Sequence, residues 1–122
     1  MRIYKTKVFN RIATKDIEIS DEALKIAVKE MNSGLFDANL GGNIYKKRVA
    51  LDGRGKSSGA RTILCFKAGE KVLFMYAFAK NDRDNISDIE EKVYKKLAVS
   101  FFGFNDKDIN KLIKDGELVE VK

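Results

Sequence analysis

Nine consecutive residues, KVLFMYAFA at 71–79, leave a strand with no polar face. Strand side chains point alternately to opposite sides, so a run that is apolar at odd and even positions must be covered on both. The segment therefore reads as a central strand flanked by helices. Two more strand-like segments precede it, at 44–51 and 61–68. Gly69-Glu70 between 61–68 and 71–79 reads as a tight hairpin linker with glycine first, which makes that pair antiparallel. The longer loop at 52–60, rich in glycine and serine, extends the series to a three-stranded meander.

Helix signals surround these strands. Ile3, Tyr4, Val8, Phe9 and Ile12 suggest a short extended start running into a short helix. Ser20 is placed to cap a helix carrying Asp21 and Glu22 in its first turn, with Leu24, Ala27, Val28 and Met31 on one face up to Gly34. Residues 35–43, with Gly41-Gly42, read as a connection. Ser87 and Glu90 form a capping box, after which Ile89, Val93, Leu97 and Phe101 recur at helical spacing up to Gly103. Asn105, with Asp106 and Asp108, opens a short amphipathic helix through Ile109, Leu112 and Ile113, and 118–121 suits an edge strand. The pattern predicts a single α+β domain over 1–122, with N-terminal helices packed on the sheet and further helices at the C-terminal end.

Composition narrows the chemistry. No apolar run approaches the roughly 20 residues of a membrane-spanning helix, and the start, MRIYKTKVF, lacks the apolar core of a secretory signal. A cytoplasmic protein without membrane contact is expected. The single cysteine, Cys65, excludes an internal disulfide and a multi-cysteine zinc site, and reads as a buried thiol. There is no histidine, so any acid/base chemistry falls to lysine, arginine, tyrosine or carboxylates. Residues 41–83 hold ten Lys and Arg against three acids, a local charge of +7 on a chain of +6. The positive charge thus belongs to one region, as on a surface that meets a polyanion.

Within that region, alternation puts Lys46 and Arg48 on one face of their strand, with Tyr45, Val49 and Leu51 turned inward. Arg61 opens the next strand, and Lys80 closes the third on the face of Tyr76 and Phe78. In a meander these four cations converge. Such a convergence suits RNA cleavage by the RNA's own 2′-hydroxyl, where arginines stabilise the five-coordinate phosphorane and a lysine takes or clamps a proton. Lys47, Arg54, Lys56, Asn81 and Arg83 complete the expected RNA contacts, with Lys67 and Lys71 solvated. Asp82, Asp84 and Asp88 suit turns and caps, so no metal and no other cofactor is expected. Gly55-Lys56-Ser57 has the tail of a phosphate-binding P-loop, but Ala50 stands where its first glycine belongs.

Gly41-Gly42, Lys46-Lys47-Arg48-Val49-Ala50, Gly53-Arg54-Gly55-Lys56-Ser57-Ser58-Gly59, Arg61-Thr62 and Tyr76-Ala77-Phe78-Ala79-Lys80-Asn81 together resemble the signature of RelE/HigB-like toxins of type II toxin-antitoxin modules. The resemblance spans essentially the whole chain. It implies helices on a twisted antiparallel sheet, metal-independent cleavage of mRNA in the A site of the 30S ribosomal subunit, and inhibition by a cognate antitoxin, commonly of helix-turn-helix type. It also implies roles: Lys46 as base or substrate clamp, Arg48 and Arg61 as phosphorane stabilisers, and Lys80 as leaving-group or backbone partner. Several relatives use a histidine or a C-terminal tyrosine in proton transfer. This chain has no histidine and no tyrosine after Tyr94, so the acid is unassigned. The alternatives are a non-enzymatic toxin on the same scaffold, as in ParE-like gyrase inhibitors, and a basic RNA-binding module.

Overall fold

The computed structural model describes residues 1–51 and 59–122. Among these, six strands form one sheet: β1 (Ile3–Thr6), β2 (Ala38–Gly41), β3 (Ile44–Val49), β4 (Ala60–Cys65), β5 (Val72–Ala79) and β6 (Leu118–Val121), in the spatial order β2-β3-β4-β5-β1-β6. β5 is an inner strand, as its two apolar faces require. On one side lie α1 (Lys7–Arg11), the single π-helical turn Ile12–Asp16 that continues it, and α2 (Asp21–Asn32). Their core includes Phe9, Leu24, Val28 and Met31 against Val49, Leu64 and Phe74. On the other side α3 (Asp88–Gly103) and α4 (Asp106–Lys114) bring Ala98, Phe101 and Ile109 onto Ile44, Ile63 and Leu73.

The capping signals take the form the sequence predicts. The Ser20 hydroxyl accepts from Ala23 N at 3.1 Å, and Ser87 and Glu90 exchange hydrogen bonds at the start of α3. Asn105 and Asp108 do the same for α4. Cys65 is fully buried, and burial pushes its thiol up to about 12, which leaves it protonated and inert at neutral pH.

Four features differ from the sequence reading. The extended start is an inner strand: β1 runs parallel to β5 and antiparallel to β6, so the sheet is mixed. Its pattern is weak because Lys5 occupies an inward position, where its ammonium meets Asp21 at 3.0 Å. The connection at 35–43 contains β2, joined to β3 by Gly42 and Asn43, both at positive φ as a two-residue type I′ hairpin demands. Between β4 and β5 the chain turns over Lys67–Glu70, with Glu70 N donating to Lys67 O at 2.9 Å, so Gly69 is third in a four-residue turn. Finally, Ile89 and Val93 are exposed, and α3 buries Ala98 and Phe101 with Tyr94 and Leu97 beside them.

Candidate functional site

β3, β4 and β5 are paired antiparallel, and their register decides where the cations go. Lys46 faces Ile63, which faces Tyr76; two residues along, Arg48 faces Arg61, which faces Phe78. These two rows share the face that α3 partly covers, because Ile63 and Phe78 belong to its core. Lys80 follows β5 by one residue, exposed, with the side-chain parity of Phe78. Directly opposed Cα atoms in such a ladder lie about 4.5–5.5 Å apart. Arg48 and Arg61 are therefore immediate neighbours on one end of the sheet, with Lys46 in the next row and Lys80 at the rim.

Each cation is held differently. Arg48 is tethered: Asp37, just ahead of β2, accepts from its Nε at 2.8 Å and from its backbone N. Asp37 is itself fixed by donating its own N–H to Lys46 O at 2.9 Å. Among the described residues, Arg61 reaches only the Gly59 carbonyl, at 3.3 Å. Lys46 and Lys80 have no carboxylate within salt-bridge distance among the described residues. Gly59 explains the shape of this end of the sheet, since a Cβ there would lie 2.2 Å from the Val49 carbonyl oxygen. Only glycine lets the two backbones approach so closely at the point where β4 begins.

Three expected roles do not survive the geometry. Lys47 alternates to the other face, where it is buried beneath α2 and its ammonium sits 2.9 Å from Glu30. It presents no charge to RNA and is not solvated. Arg83 is committed to the protein, pairing with both oxygens of Glu90 at 2.6 and 3.2 Å and lying over the rings of Tyr76 and Phe78. Lys71 is not solvated either: it donates to Phe104 O at 3.0 Å and lies over Phe101. Lys67, exposed, lies over Phe102 at the same far end of the sheet. Asn81 is exposed beside Lys80. Arg54 and Lys56, with the Gly55-Lys56-Ser57 stretch, lie outside the described residues.

The other face holds a groove of about 260 Å³ between α2 and the end of β3, lined by Ala23, Ile26 and Leu51 with Glu22 and Glu30. Its carboxylates make it a poor seat for a polyanion, and Arg48 contributes only at its margin. The cation rows beside α3 are the better candidate.

A family model described as the RelE toxin of the RelE/RelB toxin-antitoxin system matches residues 1–121. The chain is a RelE-family toxin. No curated protein matches it. Family membership implies a cognate antitoxin as its partner. In this RelE-family member the sequence reading missed the carboxylates that manage the site's charge. Asp37 lies in what read as a connection, and Glu90 read only as half of a capping box. Nothing in the spacing pointed Arg83 at Glu90, because Arg83 lies seven residues ahead in the loop before α3. The aromatic roof was missed as well: Tyr94 stacks on Tyr76 with ring centroids 6.3 Å apart. Tyr94 is half-buried, and burial, reinforced by Glu90, pushes its phenol up to about 12.

Proposed function

We propose that this toxin is a metal-independent endoribonuclease that cuts mRNA in the ribosomal A site by attack of the RNA's own 2′-hydroxyl on the adjacent phosphorus. One observation carries the reading: Arg48 and Arg61 are direct cross-strand partners on an accessible face. Like charges held opposite each other cost stability, and a phosphate placed between them removes that cost while meeting planar, paired donors. The demand is greatest in the phosphorane, whose extra negative charge these donors are preorganised to receive. Lys46 stands in the adjoining row as base or clamp, and Lys80 with Asn81 at the rim holds the chain on the leaving side. The specificity for RNA follows from the nucleophile, since DNA lacks the 2′-oxygen. In this reading the whole chain acts as one domain in the cytoplasm, where ribosomes are, and its antitoxin is of helix-turn-helix type.

The decisive measurement is primer extension on a reporter mRNA translated with the purified toxin, which should show cuts in phase with codons. Arg61→Ala, folded by circular dichroism, should lower cleavage by about 10²–10³-fold, the usual cost of one preorganised oxyanion donor, and relieve growth arrest on induction. Growth arrest without cuts would instead mark a non-enzymatic toxin on this fold.

A further inference from the structure

We infer that the outward face of α3 is where the cognate antitoxin docks, and that the segment it receives is an acidic amphipathic helix. Ile89 and Val93 recur four residues apart, as core positions do, yet they are 77% and 56% exposed, and Val99 is 75% exposed. The inner face of α3 is complete without them: it buries Ala98 and Phe101 and lays Tyr94 and Leu97 beside the sheet. Among the described residues eight large hydrophobic side chains are exposed, and three of the eight stand on this one helix, so the exposure is concentrated rather than scattered.

Charge says what covers them. At 3.6 residues per turn, Ile89 and Val93 form one line along the helix, Lys92 and Lys96 form the next, and Val99 lies beyond the lysines. Lys92 and Lys96 are exposed, and neither has a carboxylate within salt-bridge distance among the described residues. Of the three lysines on α3, Lys95 alone is paired, with Glu91 at 3.7 Å. Like charges four apart weaken a helix, and carboxylates brought by a partner remove that cost. Asp88 sits in the first turn, where the helix dipole favours it. The face is thus negative at its start and positive through its middle, which gives an incoming helix a direction.

The aliphatic side chains decide the class of partner. RNA offers phosphates to lysines and bases to aromatic rings, and has nothing that gains by covering Ile89, Val93 and Val99. A second copy of this chain pairing through the same face would gather four lysines with only the two Asp88 carboxylates among them. An acidic helix with apolar anchors one turn apart meets both lines at once, and family membership supplies the protein that needs such a seat.

α3 also partly covers the cation rows, stacking Tyr94 on Tyr76 and holding Arg83 through Glu90. An antitoxin on its outward face stands beside Arg48 and Arg61 without touching them, and obstructs by bulk the approach of any large substrate.

The test uses the full-length toxin and the antitoxin encoded with it, purified together, separated and titrated by calorimetry. Val93→Glu sets a carboxylate against the partner's own and should weaken binding by about 30-fold or more, the mark of an interface hot spot. Ile26→Glu, equally exposed at 56% but on α2 across the sheet, should leave it unchanged. Lys92→Glu combined with Lys96→Glu should also weaken binding; raising the salt should then strengthen the variant's binding and weaken the wild type's, because salt screens repulsion in one and attraction in the other. Both α3 variants should still arrest growth when expressed alone and escape rescue by the antitoxin. Wild-type affinity in Val93→Glu overturns the assignment. So does loss of growth arrest with antitoxin affinity intact, which marks a ribosome contact, and so does a toxin dimer that Val93→Glu dissociates with antitoxin affinity intact. Should Val93→Glu fail to fold, the double lysine reversal decides in the same directions.

Discussion

Lys46 and Lys47 are adjacent in sequence and opposite in fate, because each step along a strand reverses the face. Lys46 lies beside the arginine pair, whereas the Lys47 ammonium is sealed under α2 against Glu30, with 5% of its side chain exposed. Removing one partner of such a pair strands a charge, and the cost is far larger than the pair's net worth. Glu30→Gln should therefore destabilise the fold by about 3 kcal/mol, the lower end of the usual range because Glu30 is itself partly exposed. Lys47→Met should cost less than that, because the Glu30 carboxylate it leaves behind is partly exposed and can be hydrated, and it should leave RNA cleavage intact. Urea denaturation of the two variants checks both. Alternation made the partition of Lys46 and Arg48 from Tyr45 and Val49 readable. The burial of Lys47 was not readable, because its counter-charge sits on a helix far upstream and three successive cations look like a solvated surface.

At the level of elements, α3 is tied to the site through Glu90, which caps the helix and receives Arg83. The Arg83 guanidinium, and then the Ser87 backbone N–H, hold the Glu90 carboxyl down at about 2. A depressed carboxyl contributes stability above its unfolded value, near 4.5, and that contribution fades as pH falls through the folded value. Stability should thus decline from about pH 5 toward pH 2, by about 1 kcal/mol after solvent screening of this partly exposed pair. Glu90→Gln should be less stable at pH 7 and lose this part of the acid slope in melts recorded across that range. The capping box was legible because its partners are three residues apart and need no tertiary context. The buried face of α3 was not. Ile89 and Val93 fit the helical period as well as Leu97 and Phe101 do, but the first turn is fixed by Arg83 and Tyr76, which turns Glu90 and Tyr94 toward the sheet. β2 was missed for a similar reason: a four-residue edge strand, ANLG, has almost no strand propensity of its own and exists because β3 offers it a ladder.

For the whole molecule, the +7 of residues 41–83 points to the proposed site but overstates its charge. The fold buries Lys47, moves Lys67 and Lys71 to the far end of the sheet, and neutralises Arg83 with Glu90. What remains on the proposed RNA-facing surface among the described residues is Lys46, Arg48, Arg61 and Lys80, with Asp37 offsetting part of Arg48. This partition can be measured, because each phosphate neutralised on a single strand contributes about −0.7 to the slope of log affinity against log salt. Binding of a short 2′-O-methyl RNA, which cannot be cleaved, should respond accordingly in fluorescence anisotropy. Lys46→Ala and Lys80→Ala should each make the slope shallower by about 0.7, and Lys47→Met should leave it unchanged. Lys29→Ala, on α2 across the sheet, should also leave it unchanged although Lys29 is exposed and equally charged. Equal responses from Lys29 and Lys46 would mean that RNA senses the net charge of the molecule rather than one face, and the convergence of the three strands would then have no part in recognition.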